Sequence, residues 1–349
     1  MTADTSGALP DAAAAAAGPR DAVTQRRKRR ILILLFALAV LGAVILKHAF
    51  PSSEAVRLRN AMLVQPALAG DFSWAPSQLP TGYHGETLPP DPRLVKVVDA
   101  LGVAPAAGDR ARALAIAAHI SERANNGGAI QSDLWTAYQR IRAGDGYCAD
   151  FTQVFLGLAH AAGLFAREWA FSFDGYGGHG HAMVEVFDRQ AGQWMFLDVF
   201  NNVYPLDAET GRPLSALEVR EHFLGRGRPL RFERIGPGRL GFIHEEKLLA
   251  YYRRGAPEWY LWWGNDVQTQ DTDPLVEGMG RISPMAGQLV ALAKGEFPQI
   301  RIVEGPENLA QRERMQSLRS VLLVSFVLGI ILSAWLAGEL VALMRRRAG

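Results

Sequence analysis

The chain has 349 residues, with 37 basic and 35 acidic side chains, a formal net charge of +2 and one cysteine. Near-neutral charge excludes a dedicated nucleic-acid binder, which carries a strong basic excess. One cysteine excludes intramolecular disulfides and multi-cysteine zinc or iron–sulfur centres. The mean hydropathy of +0.01 is high for a soluble globular chain and points to concentrated apolar segments.

Residues 1–30 have no apolar periodicity, and the alanine run Ala12 to Ala17 reads as part of a disordered tail. Ile31 to Leu46 is an uninterrupted apolar run of 16 residues, 20 if it extends to Phe50. Ser320 to Met344 is a second run, with Glu339 as its only charge. Both are long enough for a hydrocarbon core of about 30 Å, the first only marginally. Arg26, Arg27, Lys28, Arg29 and Arg30 precede the first run, and Arg345, Arg346 and Arg347 follow the second. The positive-inside rule puts both termini in the cytoplasm of a two-pass inner (plasma) membrane protein. The region from about 51 to 319 is then periplasmic or extracellular. A cleaved signal peptide is the competing reading, but only His48-Ala49-Phe50-Pro51 follows the run, with no small-x-small site. Glu339 lies near the cytoplasmic end, where snorkelling accommodates it. Residues 51–319 hold 27 basic and 31 acidic side chains, so the chain's basicity belongs to its membrane flanks.

Residues 51–92, rich in Pro, Gly and Ser, read as a linker or irregular wrap. Arg110 to Ala124 and Leu134 to Ile141 read as helices. After Cys148, apolar residues fall at Phe151, Val154, Phe155, Leu158 and Ala162, one helix face, with Gly163 as a stop. Asp145-Gly146 supplies the preceding turn. Cys148 therefore opens a helix, where partial positive charge favours a thiolate. Phe165 to Ser172 alternates as a strand. The glycine-rich loop Asp174 to Gly180 leads into two further strands, His181 to Asp188 and Gln193 to Phe200. Arg189 to Gly192 is a turn-length connection. If Asp188 pairs with Gln193, His181 faces Phe200 and Met183 faces Asp198. His181 and Asp198 then share a sheet face as diagonal neighbours, about 7–8 Å apart. A one-residue slip would separate them.

A helix-terminal cysteine, a histidine and a carboxylate, in that order, form the thiol version of a catalytic triad. Gly146-Tyr-Cys148-Ala-Asp-Phe-Thr, His181-Ala-Met-Val-Glu-Val and Trp194-Met-Phe-Leu-Asp198 resemble the three motifs of the transglutaminase-like superfamily, bacterial type. The resemblance covers roughly residues 95–205, about a third of the chain. It implies a papain-like α+β core, with a nucleophile-bearing helix packed on an antiparallel sheet between two transmembrane helices. It also implies Cys148 as nucleophile, His181 as general base and Asp198 as orienting carboxylate. Met183 stands where the family often has an aromatic residue. The Cys148 N–H is one oxyanion donor, and Gln131, Trp135 and Gln139 are candidates for a side-chain donor.

Other readings compete at single residues. A lone cysteine is usually a small buried hydrophobe. His179 reads as a rim residue, and Glu185 as a structural carboxylate or an alternative orienter of His181. A His179, His181 and Asp174 metal site has no further ligand to support it, and no cofactor is called for. His160, His222 and His244 default to surface or capping roles. Leu214 to Phe223 and Ile243 to Tyr252 read as helices, and Arg231 to Ile235 as a strand. Trp259 to Trp263 fits a buried strand, a sugar-stacking wall or a membrane-interface patch.

The expected organisation is tail (1–30), membrane helix (31–50), linker (51–92), transglutaminase-like domain (93–205), extension packed on that core (206–317), membrane helix (318–344) and cytoplasmic tail (345–349). The expected chemistry is acyl transfer at an amide through a thioester. Water as acceptor makes the enzyme a peptidase or amidase, and an amine makes it a transferase. The expected partners are the bilayer and an extracytoplasmic polypeptide or envelope-polymer substrate. A non-catalytic binding or scaffolding module is the rival, opposed by the complete triad.

Overall fold

The structure, a computed structural model, describes residues 19–49, 55–65, 67, 71–123, 127–130, 132–175, 177, 179–271, 273–282, 284–295 and 297–348. The alanine run Ala12 to Ala17 and Gln131 lie outside the described residues. The chain divides into two compact units, Met1–Pro51 with Ser320–Gly349, and Ser52–Arg319.

The first unit is built from α1 (Pro19–Ala49) and the apolar part of a long C-terminal helix, Leu309–Ala348. Both are long and apolar enough to cross a membrane. Leu32, Phe36, Phe326 and Trp335 are each more than half exposed. Such outward-facing apolar rows suit lipid. Residues 19–30, expected to be disordered, are helical: Pro19 fits a helix start, and the Arg, Lys and Gln that follow are good helix formers. Glu339 does not rely on snorkelling. It accepts hydrogen bonds from Arg27 at 2.8 Å and Arg30 at 3.2 Å.

The second unit runs α2 (Ala55–Leu63), β1 (Val64–Gln65), α3 (Pro92–Ala100), α4 (Asp109–Ile120), α5 (Leu134–Ala143), α6 (Cys148–Ala161), β2 (Ala166–Ser172), β3 (Gly180–Asp188), β4 (Gln193–Leu197), β5 (Val203–Asp207), α7 (Ala216–Phe223), β6 (Leu230–Arg234), α8 (Glu245–Gly255), β7 (Trp259–Trp262), α9 (Val267–Asp271), α10 (Pro274–Ile282), α11 (Pro284–Lys294) and β8 (Ile300–Ile302), before the C-terminal helix α12. The main sheet has the order β1-β8-β7-β2-β3-β4, and β5 pairs with β6 separately. All main-sheet pairs are antiparallel except β1 with β8. The class is α+β.

Strand alternation sorts the side chains onto two faces. Ala166, Val184, Val186, Met195 and Leu197 join the core formed with α3 to α6. Trp169, Phe171, Met183, Phe196, Trp259 and Leu261 join an aromatic core that includes Tyr252 of α8 and Val219 of α7. Thus Trp259 to Trp263 is a buried strand, and residues 206–317 are not a mere extension: β7 and β8 complete the sheet. Residues 51–92 are likewise more than a linker. Trp74 and Tyr83 are buried, and the Trp194 indole donates to the Trp74 carbonyl at 2.8 Å.

A buried ion pair anchors the aromatic face. Arg167 Nε donates to Glu185 Oε2 at 2.8 Å, and Trp169 Nε1 donates to the same oxygen at 2.7 Å. The Ala216 N–H, at the start of α7, donates to Glu185 Oε1 at 2.6 Å. The Arg167 guanidinium lies 3.7 Å from the Trp194 ring centroid. Glu185 is thereby committed to structure. Replacing it with alanine leaves a guanidinium buried without its counter-charge. Glu185→Ala is expected to cost about 3–5 kcal/mol in denaturant unfolding. A loss under about 1 kcal/mol would remove this pair as the anchor of the aromatic face.

Candidate active site

Cys148 is the first residue of α6 and is half-buried. The helix start is fixed from both sides. The Asp150 carboxylate accepts the Tyr147 N–H at 2.7 Å, satisfying an amide at the cap, and also accepts the Ile130 N–H at 3.3 Å. Gly146 has φ of +100°, and a Cβ there would meet Ile130 and Ile141 side chains at 3.2 Å. Only glycine makes this turn without strain or crowding. Phe151, Val154, Phe155, Leu158 and Ala162 are buried. That apolar face clamps α6 and therefore the position of its first residue.

β3 and β4 pair in the register Asp188↔Gln193 through Val184↔Leu197. The regular ladder then ends, and Asp198 exchanges backbone hydrogen bonds with Val203. This tight turn brings the carboxylate back to His181. His181 Nε2 and Asp198 Oδ2 are 2.8 Å apart, and both side chains are buried. The Cys148 thiol lies within electrostatic reach of the His181 side chain. With Nε2 on the carboxylate, Nδ1 is the nitrogen left for sulfur. Cys148, His181 and Asp198 are therefore brought together.

Two partners of Asp198 were not foreseen. Tyr252 Oη donates to Asp198 Oδ2 at 2.5 Å. Asn201 Nδ2 donates to the same oxygen at 2.6 Å, and its backbone N–H reaches Oδ1 at 3.0 Å. An Asp followed three residues later by Asn is an Asx-turn signal that sequence can carry. Tyr252 gave none, because α8 follows Asp198 only after two strands and another helix. The next residue, Asn202, has φ of +59°, a conformation asparagine tolerates, and its side chain holds the Gly236 N–H at 3.0 Å.

The electrostatics follow from burial and pairing. Burial opposes charge on His181, but the Asp198 charge and hydrogen bond, with help from Cys148, push its pKa up to about 10. Burial likewise opposes charge on Asp198, yet His181, Tyr252 and Asn201 hold its pKa below the usual carboxylate value. Burial and the Asp198 charge raise Tyr252 well above the normal phenol range, so it remains a donor.

Other candidates fall elsewhere. His179 is exposed, and its carbonyl accepts the Phe173 N–H at 2.7 Å. His160 binds the Leu88 carbonyl at 2.9 Å, and His222 binds the Arg228 carbonyl at 2.7 Å. His244 stands at the cap of α8. Trp135 stacks on Tyr138 and lies under Arg93, while Gln139 is exposed. Among the described residues, no group of three or more His, Cys, Asp or Glu is arranged to hold a metal.

The same segment matches a family model. Residues 99–199 fit the transglutaminase-like superfamily. This segment resembles a transglutaminase-like core. A solved structure of a presumed cysteine protease from Cytophaga hutchinsonii is similar at 23% identity, over 31% of this chain and 37% of that one, with a TM-score of 0.23. The chain thus spans little more than a third of that protein. No curated protein matches the chain. The matched segment contains α4 to β4, and Tyr252 and β7 come from outside it.

Removing the Asp198 charge leaves burial as the dominant influence on His181. Asp198→Asn is expected to drop the imidazole pKa from about 10 to below its ordinary 6.5, read by NMR of the ring protons. An imidazole still titrating near its original value would mean that Asp198 does not set its charge.

Proposed function

We propose that the protein is a membrane-anchored cysteine enzyme that cleaves or transfers acyl groups at amide bonds outside the cytoplasm. The observation that carries this reading is the buried His181–Asp198 pair, with Nε2 and Oδ2 2.8 Å apart, set within electrostatic reach of a thiol at a helix N-terminus. Cys148 Sγ attacks the amide carbonyl carbon, forming the C–S bond. First-turn amides of α6, whose N–H groups have no partner within the helix, face the developing oxyanion. The imidazolium gives its proton to the departing amine as the C–N bond breaks, leaving a thioester. His181 then takes a proton from water, which attacks the thioester and releases the acid. An amine in place of water completes a transamidation. We favour hydrolysis, so the reading is a peptidase or amidase acting on an envelope polypeptide or a component of surface-polymer assembly. Asp198 orients the ring and stabilises its charge, and Tyr252 and Asn201 position Asp198.

The topology belongs to the same proposal. Positive clusters flank the outer ends of both apolar helices. The ion pairs of Arg27 and Arg30 with Glu339 support a reading with those ends at one membrane face. Both termini then lie in the cytoplasm and the transglutaminase-like core outside it.

Thiol alkylation tests the chemistry. At about pH 6 an ordinary cysteine is almost wholly protonated, so Cys148 should react with iodoacetamide up to about a hundredfold faster than a free thiol. His181→Ala should remove most of that advantage. Labelling at the free-thiol rate would instead favour a non-catalytic binding or scaffolding module. Reporter fusions at each terminus should both report cytoplasm, and an exported N-terminus would overturn the topology.

A further inference from the structure

Half-buried aromatic rings surround the His181 imidazole. The Tyr251 ring centroid lies 5.5 Å from it and the Phe200 centroid 6.1 Å. Phe173 packs on Tyr251 at 5.2 Å. Each outer ring carries an exposed arginine. The Arg254 guanidinium lies 4.4 Å from the Phe173 centroid, and that of Arg239 lies 5.9 Å from the Phe200 centroid. The Tyr251 hydroxyl is within electrostatic reach of both the Cys148 sulfur and Arg254. Arg254 thus reaches the same hydroxyl as the thiol, and Arg239 sits on a ring that packs beside His181.

Their lack of partners is informative. Arg226, Arg228 and Arg231 are all held in ion pairs with carboxylates. Among the described residues, Arg239 and Arg254 have ring contacts and no carboxylate. Residues 51–319 hold more acidic than basic side chains, so this positive rim is local. Stacking on a ring fixes the plane of a guanidinium and leaves its N–H fork free to grip a carboxylate.

We propose that Arg239 and Arg254 form a carboxylate-binding rim at the mouth of the site, so that the acyl donor is an acidic polypeptide segment with a carboxylate beside the scissile amide. The proposal rests on Cys148 being the nucleophile. It names a substrate class and two specificity residues. The aromatic rings supply an apolar floor for the backbone, and the guanidinium forks select a negative neighbour.

Two alkylating agents of nearly equal size test it on the full-length protein in neutral detergent. Iodoacetate carries a carboxylate, and iodoacetamide does not. The ratio of their rates at Cys148 reports the local preference for an anion, with iodoacetamide as the reference for the thiol itself. In the double variant Arg239→Gln, Arg254→Gln this ratio should fall about three- to tenfold, as expected for two nearby screened charges. The double lysine variant should keep part of the preference. Arg281→Gln removes one charge from an exposed arginine paired with Glu277 and should leave the ratio unchanged. Fast iodoacetamide labelling with the same ratio in the glutamine variant would sink the anionic rim while leaving the nucleophile in place. An equal fall in Arg281→Gln would also overturn it, since the effect would then be global charge. Labelling by both agents at the free-thiol rate would overturn the cysteine-enzyme reading and this proposal with it.

Discussion

Asp198 has no exposed surface, yet it is held as a carboxylate, and the geometry of the site depends on how that charge is satisfied. An isolated buried carboxylate would take up a proton instead. Here His181 Nε2, Tyr252 Oη and Asn201 Nδ2 converge on Oδ2, while the Asn201 backbone N–H serves Oδ1. These donors come from the start of β3, from α8 and from the turn after β4. Each element is therefore constrained by the same four hydrogen bonds. A shift of α8 would strip a donor from the charge, and a slip of β3 would turn His181 to the other face. Stability and chemistry are coupled through one oxygen atom.

The aromatic face contains a second buried carboxylate, Glu185, which shows the alternative outcome. It sits on β3 with the same parity as His181. Its partner is a guanidinium, which stays charged at every relevant pH and has no proton to pass on. That pair can only hold. The Asp198 pair uses an imidazole, whose second nitrogen remains free to exchange a proton with sulfur. The two sites differ little in burial, and the identity of the cation separates a fixed ion pair from one that can exchange a proton.

The parts of the fold that sequence made legible are those with local causes. The apolar spacing after Cys148 fixes α6, because a helix face repeats within a few residues. The β3–β4 hairpin was legible because a short turn joins two alternating strands, so Asp188 opposite Gln193 sets every later pair. What sequence hid has distant causes. β1 is two residues long and pairs with β8, more than two hundred positions later, so neither shows a period of its own. Trp259 to Trp263 had three competing readings because hydrophobicity alone does not say whether an aromatic run meets protein, sugar or lipid. Only the pairing of β7 with β2 and β8 settles it. Tyr252 was invisible for the same reason: α8 is an amphipathic helix like many others until its neighbour is known. Glu339 looked like a tolerated anomaly because its partners, Arg27 and Arg30, stand at the opposite end of the chain.

The family match ends at residue 199, and this has a physical consequence. Cys148, His181 and Asp198 all fall inside it. Phe171, which packs on the imidazole at 5.6 Å, also lies inside it, while Asn201, Tyr251 and Tyr252 fall outside, with β7 behind them. The core alone would expose the Asp198 edge to water, and its field on His181 would be screened. The later segment closes that edge with aromatic rings and a phenol donor. It thereby lowers the local dielectric and strengthens the pull of Asp198 on the imidazolium. The same segment carries Arg239 and Arg254, which lie over Phe200 and Phe173. In this chain the matched segment supplies Cys148, His181 and Asp198, and the residues after it supply the donors that fix the charge of the Asp198–His181 pair.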